Sequence, residues 1–120
     1  MSLIRTLGHA SLSGIFISGG WHAFQNPGGR VNKVADAGIP EPQQAVELNG
    51  AAMVVGGTML SLDIAPKLAA LILLGTIVPT TIVGHAFWKE ESDMGRMNQQ
   101  TQFYKNLGLL GGLLLVLTEK

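Results

Sequence analysis

No cysteine occurs among the 120 residues, which excludes a disulfide framework, a C-x-x-C redox pair and a thiolate metal site. Charge is scarce as well. Only 13% of the chain is Asp, Glu, Lys or Arg, about half the usual share in a soluble domain. Eight basic and eight acidic side chains give a formal net charge of zero. There is thus no basic field to hold nucleic acid, and no acidic, solvating tail. What abounds is apolar side chain, at 47%, together with 16 glycines. Mean hydropathy is a modest +0.32 because apolar blocks are averaged with polar loops.

Four blocks carry the apolar residues. The first uncharged run lies between Arg5 and Arg30 and is apolar from Leu7 to Phe24. The second spans Leu48 to Leu62, or begins at Gln43 if Glu47 is admitted. The third, Leu68 to Trp88, has no formally charged residue, and the fourth, Asn106 to Thr118, follows a polar lead-in from Arg96. A bilayer core about 30 Å thick needs about 20 mostly apolar helical residues. The third run meets this outright and the first nearly does. The second and fourth meet it if a polar turn or two sits inside protein. A soluble bundle would alternate polar and apolar faces, and neither the second nor the third run has a charged face.

The expected fold class is all-α, an integral membrane four-helix bundle forming one domain over residues 1–120. Its helices are expected at about 5–25, 42–62, 66–88 and 96–118. Gln25 to Glu41, with Pro27, Gly28, Gly29, Gly38 and Pro40, reads as a turn-rich loop. Pro42 and Pro66 suit first helical turns. Pro79 is expected to kink the third helix, with the Thr80 and Thr81 hydroxyls satisfying freed carbonyls. No A-x-A site follows the first run, so it is expected to remain as the first span.

Small residues should point into the bundle, where they let backbones touch. The expected faces are Ser11, Ile15, Ser18, Gly19 and His22 on the first helix, and Glu47, Gly50, Ala51, Val54, Gly57, Thr58 and Ser61 on the second. Gly108 and Gly112 form a small-xxx-small step on the fourth.

With four spans, the first and third loops share one membrane face, and the second loop and both chain ends share the other. His22, Glu47, His85, Trp88, Lys105 and Asn106 then gather at one end and form the candidate ligand-binding cluster. Ionisable groups near membrane depth are costly and pair inside bundles. Such a set could bind a divalent metal, relay protons, or hydrogen-bond a quinone headgroup against Phe87 and Trp88. Equally, Glu47 could pair with Lys105 or a histidine and merely lock that end. Glu47 is expected to contact at least one of His22, His85 and Lys105, directly or through one water. His9, about 20 Å from His22 at 1.5 Å per residue, reads as interfacial. Loops one and three carry Arg30, Lys33, Lys89, Arg96 and Lys105 against Arg5, Lys67 and Lys120 opposite, which leans toward a cytoplasmic position for those loops.

Gly84-His85-Ala86-Phe87-Trp88, a short charged loop, then Phe103-Tyr104-Lys105-Asn106 with Gly111-Gly112 resembles the second half of the DoxX family. Ser18-Gly19-Gly20-Trp21-His22, Pro27, Gly38-Ile39-Pro40 and Glu47-Leu48-Asn49-Gly50 resemble the first half. The resemblance implies a small multi-pass protein of the prokaryotic inner (plasma) membrane, built as a four-helix bundle. It further implies a subunit of a quinone-linked redox complex. The implied partners are the lipid bilayer and other membrane subunits, with quinone as candidate ligand, no covalently bound cofactor and no metal site. The alternative is a non-catalytic accessory subunit that stabilises a larger membrane assembly. Lacking cysteine, the chain departs from any thiol-handling version of the family, and no haem or flavin motif is visible.

Overall fold

Ser2 starts the first helix: its hydroxyl accepts from the Arg5 backbone N–H at 3.1 Å, which satisfies a donor the helix leaves orphaned. In this computed structural model, which describes residues 2–119, everything that follows is helical or connecting turn. Helix α1 spans Leu3–Gln25, α2 Gly28–Asp36, α3 Pro42–Ser61, α4 Pro66–Pro79 and α5 Asp93–Leu117. Proline opens both α3 and α4, where its missing N–H costs nothing. Ser92 caps α5 by accepting from the Gly95 N–H at 2.9 Å.

The four long helices pack in chain order, α1 on α3, α3 on α4 and α4 on α5. Their shared core holds Phe16, Leu60, Leu73, Ile77, Leu113 and Val116. Glycine sets the closest approach. A Cβ on Gly20 would lie 2.6 Å from the Gly50 carbonyl oxygen, and one on Gly50 would lie 2.6 Å from that of Gly20. The α1–α3 crossing is therefore backbone against backbone, as small residues permit.

The inward faces are partly those expected. Gly50 and Gly57 are buried on α3, and Gly112 meets the Leu12 side chain. Thr58 and Gly108 are exposed instead. On α1 the buried face is His9, Ser13, Phe16, Gly20 and Ala23, whereas Ser11, Ile15, Ser18 and His22 are exposed. The error is one of rotation about the helix axis. No polar face opposes an apolar one on this helix, so amphipathicity cannot fix which side turns inward.

Two segments depart from the expected loops and ends. Gln25 to Glu41 is not a plain loop, for it contains α2. That helix closes in a Schellman arrangement, with Gly38 at φ 83°, its N–H on the Ala35 carbonyl, and the Ile39 N–H on the Val34 carbonyl. The third expected helix loses regular α geometry before residue 88. Pro79 removes a backbone donor, and Thr80–Gly84 continues as a π-helix that breaks at His85. Thr80 Oγ1 donates to the Thr76 carbonyl and Thr81 Oγ1 to that of Ile77, both at 2.7 Å, the hydroxyl compensation expected there. A 3-10 turn over Phe87–Lys89 leads to α5.

Among the described residues, one helical stretch, Pro66–Lys89, is long and apolar enough to cross a membrane by length and composition, with a mean hydropathy of 1.8. All four long helices nonetheless expose large apolar side chains, among them Leu7, Val55, Leu71 and Leu115.

Candidate functional site: a cavity under the amphipathic helix

The π-helical segment is held from both sides by amides. Asn49 of α3 donates through Nδ2 to Thr80 Oγ1 at 3.0 Å, and Asn106 of α5 donates to Thr81 Oγ1 at 2.9 Å. Asn106 is only 5% exposed, so this bond satisfies a donor that would be costly to strand. Because each threonine already spends its proton on a carbonyl, its oxygen is free to accept. The widened helix is thereby fixed rather than loose.

Beneath α2 and beside this segment opens a cavity of about 810 Å³, within the usual range of roughly 300–1,000 Å³ for small-molecule sites. Phe16, Met53, Ile77 and Leu109 give it an apolar interior, while Arg30, Lys33, His85, Gln99, Gln102 and Lys105 give it a polar side. Lys33 Nζ donates to the Gly84 carbonyl at 3.0 Å and ties α2 to the end of the π-helix. His85 Nδ1 meets Gln99 Oε1 at 2.8 Å. A ring proton on Nδ1 would let that nitrogen donate to Gln99 Oε1 and leave Nε2 as an acceptor. Lys105 Nζ donates to Gln102 Oε1 at 2.6 Å.

Of the six candidate residues, His85, Lys105 and Asn106 come together on this cavity, and His22, Glu47 and Trp88 are not among its lining. His22 is exposed in the last turn of α1. Glu47 is half-buried and accepts from Gln43 Nε2 at 3.2 Å, one turn earlier on α3. Among the described residues it forms no direct ion pair or hydrogen bond with His22, His85 or Lys105. Trp88 packs edge-on against Phe87 at 5.3 Å and Phe103 at 6.0 Å, which seats the 3-10 turn on α5. The sequence pattern does not single out Arg30 and Lys33, whose Gly- and Pro-rich segment reads as a loop, nor the amides Asn49, Gln99 and Gln102. The available signal was Val31 and Val34 three apart, with glycine just past the helix end.

A second polar cluster forms at the opposite end of the bundle. His9, 2% exposed, meets Asp63 Oδ1 through Nδ1 at 2.5 Å and both Glu119 oxygens through Nε2 at 2.9 Å. Thr6 Oγ1 donates to Asp63 Oδ2 at 3.2 Å, and Arg5 lies 3.9 Å from Glu119. Ionised carboxylates only accept, so satisfying both calls for N–H on both ring nitrogens. Hydrogen bonding from His9 is the main reason the Asp63 carboxyl sits below its ordinary value, with burial opposing it and Thr6 assisting. The carboxylates lie on opposite edges of the ring and do not converge. Among the described residues, no three His, Asp or Glu side chains form a metal site. His9 is thus a buried clasp joining α1, the α3–α4 turn and the segment after α5.

No curated protein and no solved structure matches the chain. The DoxX family pattern matches residues 5–86, a stretch that takes in α1 to the π-helix and both asparagine-clamped threonines but stops before α5. With more than half of its length so matched, the chain belongs to the DoxX family of membrane proteins.

Proposed function

We propose that this chain is a small multi-pass subunit of a prokaryotic inner-membrane redox assembly, and that it holds an amphiphile, quinone or lipid, in the cavity under α2. The cavity carries this reading: apolar inside, rimmed by donors, and walled by helices whose outer surfaces are apolar. His85 offers an acceptor at Nε2, while Asn106 fixes the wall and Gln99, Gln102 and Lys105 supply donors to a headgroup carbonyl or hydroxyl. In this reading α1, α3, α4 and α5 all cross the bilayer. The chain brings no redox group visible in its own sequence, so it would present or store the ligand for a neighbouring subunit.

Gly19 supplies the test. It lines the cavity, and a Cβ there would meet nothing closer than Met53 Cε at 3.7 Å. Gly19→Leu should therefore fill the space without disturbing the helix crossing. Binding of decyl-ubiquinone and of a phospholipid to the purified protein would be followed by native mass spectrometry. The expected result is binding by the unaltered chain and at least a tenfold loss in Gly19→Leu at equal melting temperature. Absence of any bound amphiphile on the unaltered chain would sink the proposal.

A further inference from the structure

The charge around the cavity is one-sided. A chain with equal numbers of acids and bases places Arg30, Lys33 and Lys105 on the lining and, among the described residues, no Asp or Glu. The acids of the same end, Asp36, Glu41, Glu47, Glu90, Glu91 and Asp93, lie outside it. Nor are the three cations neutralised elsewhere: among the described residues none forms an ion pair. Their bonds go to neutral oxygens, Arg30 to the Asn26 carbonyl at 3.4 Å, Lys33 to the Gly84 carbonyl and Lys105 to Gln102. A lysine has three donors and an arginine five, so most of their capacity is unspent. Arg30 and Lys33 stand three apart on one helix, a spacing that puts like charges side by side at a cost.

A neutral headgroup would leave that repulsion in place and bury part of each cation without compensation. An anion removes both penalties, and its oxygens make charge-assisted bonds to these donors. A small soluble anion, in turn, would leave the apolar interior of Phe16, Met53, Ile77 and Leu109 unused. Resting on the reading of this cavity as an amphiphile site, we propose that its ligand is an amphiphile with an anionic headgroup. The carboxylate or phosphate sits among Arg30, Lys33 and Lys105, and the hydrocarbon chain lies against the apolar interior.

Matched pairs of probes test the headgroup at constant tail. Oleate is compared with oleyl alcohol, and phosphatidylglycerol with phosphatidylcholine of the same acyl chains. Binding to the purified full chain in neutral detergent is measured by calorimetry, with inorganic phosphate as the tail-less control. The anionic member of at least one pair should bind about tenfold or more tightly, equivalent to 1.4 kcal/mol, and the preference should shrink as salt is raised. In the combined variant Arg30→Gln, Lys33→Gln, Lys105→Gln the ratio should fall to within about twofold, with the melting temperature reporting that the fold survives. Preference for oleate alone identifies a free fatty acid as the source, and preference for phosphatidylglycerol alone identifies a membrane lipid. Equal binding within both pairs overturns the anionic headgroup while leaving the amphiphile site standing. Binding of no amphiphile overturns both. Phosphate binding as tightly as either anionic amphiphile overturns the amphiphile and leaves an anion site. A ratio unchanged in the triple variant overturns the assignment to these three side chains.

Discussion

Neighbouring glycines on α1 face different constraints. Gly19 borders open cavity, while Gly20 sits where a Cβ would be 2.6 Å from the Gly50 carbonyl oxygen and 2.7 Å from Met53 Cβ. Gly19→Ala should be neutral or slightly stabilising, since alanine is the better helix former. Gly20→Ala should push α1 off α3 and cost about 1–3 kcal/mol, the usual range for overpacking. Denaturation of the two variants in the same detergent would compare them directly, and equal stability would mean the α1–α3 crossing is looser than described. At the other end of the bundle, Asp63 contributes an acid-side pH dependence. Its carboxyl lies below its ordinary value in the folded chain, so the stability it contributes is complete above pH about 4–5 and is lost as pH falls through the native value. The unaltered chain should therefore lose melting temperature on acidification more steeply than Asp63→Asn. Asparagine tolerates the left-handed backbone found at residue 63, φ 57°, and can still accept from His9. A variant whose acid profile overlays that of the unaltered chain would remove Asp63 from the clasp.

Among the elements, the long helices are legible in the sequence and their rotations are not. Pro42 and Pro66 locate the starts of α3 and α4 without any structure, because a backbone in or near lipid has no stable alternative to helix, whereas α4 gives way to the π-helix at Thr80, well before the charged 89–95 segment. Which side of each faces protein depends on contrast between faces, and α1 has little. Gly50 and Gly57 are found inside because only glycine permits backbone contact, whereas Ser18 and His22 turn outward although they share the small-residue face expected to point inward. The clasp is illegible for another reason: His9, Asp63 and Glu119 are scattered along the chain and join only when three connections fold to one end. Helix α2 is the clearest miss. Its glycines at 28 and 29 imitate a loop, and its polar residues obscure the Val31–Val34 stripe. Its stability depends heavily on Gly38, whose φ of 83° costs a residue with a Cβ roughly 1–2 kcal/mol. Gly38→Ala should unfasten the Schellman closure and speed amide hydrogen exchange across residues 31–36, while leaving exchange in α3 and α4 unchanged. Unaltered exchange in α2 would show that Lys33 and the cavity wall hold it without the cap.

For the molecule as a whole, the question is how many helices cross. Its longest extent is 46 Å, close to the roughly 40–45 Å of a bilayer with its headgroups. The 23 residues of α1 and 25 of α5 reach about 35 Å or more at 1.5 Å per residue, enough for the hydrocarbon core. Contacts fix which segments share an end. His9 joins Asp63 and Glu119 at one, and Lys33 joins Gly84 at the other. If all four long helices cross, Asn32 in α2 and Glu91 before α5 must therefore lie on one side of the membrane and Ile64 on the opposite side. All three are exposed, and the absence of native cysteine makes single-cysteine labelling clean. Asn32→Cys and Glu91→Cys should react alike with a membrane-impermeant maleimide, and Ile64→Cys should show the reverse pattern. Positive charge at Arg30, Lys33, Lys89, Arg96 and Lys105 against Arg5, Lys67 and Lys120 leans toward a cytoplasmic side for the first two, so only Ile64→Cys should label in intact cells. Labelling of Asn32→Cys and Ile64→Cys from the same side would mean that α3 does not cross, and the chain would then lie partly along the membrane surface.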